Sequence, residues 1–80
     1  MQISAQFSLY PLKQKKLSPA IESAWKILEE KGIAFQKGSM STVITGKAED
    51  VFPAIRDVFL RSAERGQISM VVTFSNSCLI

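Results

Sequence analysis

Ile3-Ser4-Ala5-Gln6-Phe7-Ser8-Leu9-Tyr10-Pro11 alternates apolar and polar side chains along its length. Ile3, Ala5, Phe7 and Leu9 fall on one side, and Ser4, Gln6, Ser8 and Tyr10 on the other. A period of two is that of a half-buried strand, because successive side chains point to opposite faces of a sheet. Pro11 has no N–H to give a ladder and ends the strand. The apolar side requires a cover from elsewhere in the chain. The polar side presents hydroxyls and an amide where charges are commoner, and it is the place to look for function.

Two amphipathic segments supply the cover. Ser18-Pro19 opens a helix, with a serine cap and a proline at the first helical position, where a missing N–H costs nothing. Ile21, Ala24, Trp25 and Leu28 then form one apolar stripe, which assigns Trp25 to the core. Gly32 is placed to end the helix in a left-handed conformation, with Ile33 folding back on Leu28. In the second segment Val51, Ile55, Val58 and Phe59, then Ser62 and Ala63, make the stripe. Glu49 and Asp50 carry negative charge where a helix N-terminus favours it. An interior proline costs about 3 kcal/mol, so a start near Asp50 leaves Pro53 in the first turn. Asp57 and Arg61 have the spacing of a favourable pair, about 0.3 kcal/mol. Gly66 closes this helix.

Three further strands are expected. Ile33 to Gln36 is a short edge strand, and Lys37-Gly38-Ser39 reads as a turn. Met40 to Thr45, rich in β-branched residues, follows and ends at Gly46. Its facing stays open: either Met40, Thr42 and Ile44 point inward, or Val43 does with the serine and threonines opposite. In the last strand, Ile68 to Phe74, the residues Ile68, Met70, Val72 and Phe74 share one face. Ser69, Val71, Thr73 and Ser75 share the other, and Asn76 to Ile80 is loop or an edge extension. The order β-α-β-β-α-β with right-handed crossovers selects an α+β, ferredoxin-like sandwich: a four-stranded antiparallel sheet with two helices on one face. The first and third strands are then central and the opposite sheet face has no helix of its own. Gln6, Ser8, Tyr10, Ser69, Val71 and Thr73, with some of Ser41, Thr42, Val43 and Thr45, are expected there. Exposed sheets usually carry charge against stacking, and this face holds almost none. It suits a sheet-on-sheet dimer or a small polar ligand.

Size and composition narrow the function. Eighty residues, 1–80, make one domain, and a domain of that size buries only about 60% of its unfolded surface, so self-association is a natural source of stability. No run of about 18 apolar residues could span a membrane, and no charged-then-apolar segment at the N-terminus suggests secretion, so a cytoplasmic location is expected. The formal net charge is +3, part of it in Lys13, Lys15 and Lys16, which read as a solvated loop. Histidine is absent and Cys78 is the single cysteine. A histidine-based triad and an internal disulfide are therefore ruled out, and no ligand spacing for a metal or Gly-rich phosphate loop occurs. The carboxylates cluster at helix ends, where capping explains them. RNA-recognition domains share the topology, but their aromatic platform on the central strands has no counterpart in Met40 to Thr45, so nucleic acid is not expected as a partner. An amino-acid-sensing domain of the ACT type would want a Gly-rich first loop, which is lacking. The expectation is a protein that is not an enzyme and carries no cofactor.

Several stretches taken together resemble the YkoF-like thiamine/hydroxymethylpyrimidine-binding domains. They are Phe7-Ser8-Leu9-Tyr10-Pro11, Gly38-Ser39-Met40-Ser41-Thr42-Val43 with Gly46, and Thr73-Phe74-Ser75-Asn76-Ser77-Cys78. Leu17-Ser18-Pro19-Ala20-Ile21 and Val51-Phe52 also fit the single-domain branch. The resemblance covers nearly the whole chain. It implies a ferredoxin-like fold and non-catalytic binding of thiamine or its pyrimidine half. Two-repeat members pair such domains within one chain, so a single copy implies a homodimer or tetramer. Matching positions offer Ser8 and Tyr10, Ser41 and Thr42, and Thr73 and Ser75 as ligand-binding residues, and Gln6 joins them by its facing. Hydroxyls suit an aminopyrimidine edge, and Tyr10 could stack on its ring. The two-repeat members place an acidic residue after the proline that ends the first strand, whereas this loop is Lys13-Gln14-Lys15-Lys16. Such a rim favours neutral hydroxymethylpyrimidine, or a phosphorylated form, over a cationic thiazolium. The alternative function is a structural or regulatory homodimerisation module that binds nothing small.

Overall fold

The structure, a computed structural model, describes residues 1–13 and 18–77. Its elements are β1 (Gln2–Pro11), α1 (Ser18–Glu30), β2 (Phe35–Lys37), β3 (Thr42–Lys47), α2 (Ala48–Ala63) and β4 (Ile68–Ser75). Lys15, Lys16 and Cys78 lie outside the described residues. The sheet order is β2-β3-β1-β4 with every pair antiparallel, so β1 and β3 are central, as the β-α-β-β-α-β order requires.

The alternation in β1 does what its period demands. Ile3, Ala5, Phe7 and Leu9 are each 6% exposed or less. The first three pack with Ala24, Ile27 and Leu28 of α1, Ile44 of β3, and Val51, Ala54, Ile55 and Val58 of α2. The register settles the facing of β3. Phe7 stands opposite Thr42 and Ala5 opposite Ile44, so Thr42 and Ile44 point to the helices while Val43 and Thr45 point to the open face.

Gly32 ends α1 with φ of +70°, its N–H donating to the Glu29 carbonyl at 3.0 Å while the Ile33 N–H donates to that of Leu28 at 3.0 Å. This crossed pair satisfies two of the carbonyls a helix end leaves without partners.

Several expected boundaries and contacts are corrected by tertiary contact. The second strand is Phe35–Lys37 rather than Ile33 to Gln36, because pairing of Phe35 with Ile44 and of Lys37 with Thr42 defines it. The third strand passes through Gly46 to Lys47, since β1 offers pairing partners as far as Gln2. α2 begins at Ala48, directly after β3, which places Pro53 beyond the first turn and inside the helix. The N–H that Pro53 lacks would have bonded the carbonyl of Glu49, an exposed residue near the helix start that water can serve. In the stripe of α2 it is Ala54 that is buried, whereas Phe59 is 40% exposed and Ala63 is exposed. Trp25 is only half-buried, at the margin of the core. Asp57 pairs not with Arg61 but with Lys31 at the end of α1, 2.6 Å away, and with Arg56. Arg61 instead reaches Glu30 at 3.8 Å.

Candidate functional site

The two central strands part company near one end. β1 pairs with β3 only as far as Phe7, yet continues alongside β4 to Pro11. Beyond Phe7 the edge of β1 that faced β3 has no strand beside it, because the chain of the β2–β3 hairpin turns away through Gly38–Ser41. The turn is closed by the Gly38 N–H donating to the Ser41 carbonyl at 2.8 Å. A Cβ on Gly38 would lie 2.7 Å from that oxygen, so the approach requires glycine.

The gap is a notch of about 120 Å3 between the last residues of β1, the hairpin turn and α1. Phe7, Leu9, Ile21, Ala24 and Trp25 supply an apolar wall, while Ser8, Tyr10, Ser41 and Thr42 supply polar atoms. Ser8 Oγ donates across the gap to the Met40 carbonyl at 2.9 Å, and the Gln6 amide donates to Ser41 Oγ at 3.1 Å. Trp25 donates its indole N–H to Thr42 Oγ1 at 2.9 Å, which fixes the ring against the sheet. The Lys37 ammonium lies 4.6 Å from the centre of the Trp25 ring, a cation–π contact at the rim. The result is an aromatic surface beside a short row of hydroxyls and unpaired strand edge, suited to a flat ring with hydrogen-bonding groups on its perimeter.

Five of the residues singled out from the sequence gather at or beside this notch: Gln6, Ser8, Tyr10, Ser41 and Thr42. Thr42 is there from the helix side of the sheet, 4% exposed, and not from the open face. Thr73 and Ser75 are elsewhere. Thr73 stands opposite Gln6 on the open face, and Ser75 stands opposite Ser4, where its hydroxyl accepts from the Ser77 N–H at 3.1 Å. Trp25 and Lys37 are the residues that sequence reasoning missed. The available signal was the mixed character of Trp25: a polar N–H on an otherwise apolar helix stripe needs a partner, and a threonine on a neighbouring strand is a suitable one.

The open face itself carries Gln6, Ser8, Tyr10, Val43, Thr45, Ser69, Val71 and Thr73, and its one strand-borne charge is Lys47, opposite Gln2. Val71 is 59% exposed there. Among the described residues no group of His, Cys, Asp or Glu is arranged to hold a metal ion, and no helix is long and apolar enough to cross a membrane.

Solved structures share this architecture. A hypothetical protein from Methanocaldococcus jannascii superposes with a TM-score of 0.86 at 15% identity, over 95% of this chain and 80% of that one. A Streptococcus pneumoniae protein superposes with a TM-score of 0.89 at 14% identity, over 96% of this chain and 88% of that one. A Thermotoga maritima protein, provisionally described as a thiamine biosynthesis/salvage protein, gives a TM-score of 0.84 at 11% identity, over 96% of this chain and 85% of that one. At such identities these likenesses establish the ferredoxin-like fold. No curated protein matches the chain. A sequence profile described as the YKOF-related family matches residues 2–79, and on that match, spread over all the elements described above, this chain belongs to the YKOF-related family.

Proposed function

We propose that this protein binds hydroxymethylpyrimidine, thiamine or a phosphorylated form of either, without transforming it, and does so as a homo-oligomer. The observation that carries the reading is the notch, whose lining joins an indole and aliphatic wall to the hydroxyl-bearing residues Ser8, Tyr10 and Ser41. Family membership and the thiamine-related description of the Thermotoga maritima neighbour support the ligand class. A volume of about 120 Å3 is below the roughly 300 Å3 at which pockets for larger ligands begin, and fits one ring. That favours the pyrimidine half. Lys37 over Trp25 adds a second reason, since a thiazolium beside its ammonium is repelled whereas a neutral ring or a phosphate is not. Binding without catalysis is supported by the contacts of the hydroxyls. Ser8 donates to a carbonyl and Ser41 accepts from an amide, so neither is joined to a base that would activate it.

Trp25 is the single tryptophan, so its fluorescence reports on the notch alone. Titration with hydroxymethylpyrimidine should quench or shift Trp25 emission with a saturable curve. Ser8→Ala, which removes one ring-edge partner, should weaken binding several-fold, as loss of about 1 kcal/mol implies. Emission unchanged by the pyrimidine, thiamine and their phosphates would overturn the reading. A second reading, a homodimerisation module with no small ligand, is favoured by an open face with a single strand-borne charge, and it would then stand.

A further inference from the structure

A second concavity, distinct from the notch, is bordered by basic side chains. It is a groove of about 270 Å3 between α1, from Ala20 to Glu30, and the end of α2 with the turn after it, from Arg61 to Arg65. α1 separates the two sites: Ile21, Ala24 and Trp25 face the notch, while Ala20, Ser23 and Ile27 face the groove. We propose that this groove is a second binding site, for a phosphoryl anion.

Three cations border it, Lys26 from α1, Arg61 from the last turn of α2 and Arg65 from the turn after it, against two acids, Glu30 and Glu64. The present engagements of the arginines are long. Arg61 Nη1 is 3.8 Å from Glu30 Oε2, and Arg65 Nη1 donates to the Pro19 carbonyl at 3.5 Å. Charge-assisted bonds close to about 2.8 Å when the geometry is satisfied, so both guanidinium groups have donors to spare for a tetrahedral oxyanion, which they grip in a forked manner. Contact with the Pro19 carbonyl also puts the groove beside the first turn of α1, where the helix dipole favours negative charge.

The independent sign of a ligand is Ser62. It lines the groove, is 7% exposed, and its hydroxyl is buried without a hydrogen-bond partner among the described residues. A buried hydroxyl left so carries a desolvation cost until a partner arrives. An anion held by Arg61 and Arg65 would supply the acceptor. Its charge would also draw Arg61 away from Glu30 and offset the net positive balance of the rim.

The test is a titration followed by amide resonances, at constant ionic strength maintained with sodium chloride. Inorganic phosphate and a simple phosphate monoester are the two probes. Saturable shifts confined to the groove side of α1 and to the end of α2, with a midpoint on the order of millimolar for so exposed a site, are the expected result. Arg61→Gln with Arg65→Gln should raise that midpoint about tenfold or more. Ser62→Ala should raise it less and leave the fold intact. Monoester binding with no response to inorganic phosphate would assign the site to an esterified ligand, still by its phosphoryl group. Shifts reproduced by chloride alone, or a midpoint unmoved in the arginine double variant, would overturn the proposal. The same double variant should keep the pyrimidine response of Trp25, so failure of the groove and failure of the notch are told apart.

Discussion

Thr42 and Trp25 show how much a single pair decides at the site. On β3, Thr42 takes an inward position that an aliphatic residue would fill equally well for packing. Its hydroxyl instead accepts from the indole at 2.9 Å, and this holds the aromatic wall in place. Thr42→Val keeps the shape and removes the acceptor, so the half-buried indole N–H loses its partner. The expected cost is about 1 kcal/mol in chemical denaturation, near the lower limit for an unmade bond because water can reach part of the ring. Thr42→Ser, which restores the acceptor, should recover most of it. Equal stability of the valine and serine variants would show that the bond contributes nothing.

Among the elements, α1 and α2 share one core cluster and are joined by a charged contact at its border. Lys31, just past the end of α1, lies 2.6 Å from Asp57 of α2, with the two side chains 33% and 27% exposed. The hydrogen bond from Lys31, aided by its charge and by Arg56, holds the Asp57 carboxyl below its ordinary value of 3.8. A carboxylate whose folded-state pKa is depressed adds stability above its unfolded value, and that stability is lost as pH falls through the folded value. The Asp57 contribution is therefore complete at neutral pH and disappears only in the acid range below 3.8. Asp57→Asn should lower stability at pH 7 and match the parent in strong acid. Unfolding curves at both pH values check this, and an unchanged difference between them would refute it. The element boundaries teach a related lesson. Pro53 argues for a late start to α2 on propensity alone, yet the helix begins at Ala48 because burial of Val51, Ala54, Ile55 and Val58 outweighs one missing bond.

For the whole molecule, two uncovered surfaces stand out. The open face has a single strand-borne charge, and β4 at the sheet edge, Ile68–Ser75, carries neither charge nor proline. The opposite edge, β2, has three residues and ends in Lys37. Edge strands in monomers are commonly blunted by charge, and β2 follows that rule while β4 does not. Self-association through the open face is the expected consequence. The protein should sediment as a dimer or larger at micromolar concentration, and Val71→Lys with Thr73→Lys should dissociate it without changing its circular dichroism. A parent protein that sediments as a monomer would contradict the assignment of that face.

What the residue order determined by itself was the alternation in β1, the two amphipathic helices, the glycine stop at Gly32 and the topology that follows. These are written in local periodicity and turn chemistry, which need no knowledge of distant contacts. The polar residues of the β1 half of the site were legible for the same reason, since a period of two puts Gln6, Ser8 and Tyr10 together. The facing of β3 was not, because Met40 to Thr45 alternates small polar and apolar residues on either reading. Only pairing of Thr42 with Phe7 could choose between them. Nor was the notch itself, which exists because β1 outruns β3 and α1 brings Trp25 to the gap from a different layer. Such a site is a relation among three elements distant in sequence, and only their packing defines it.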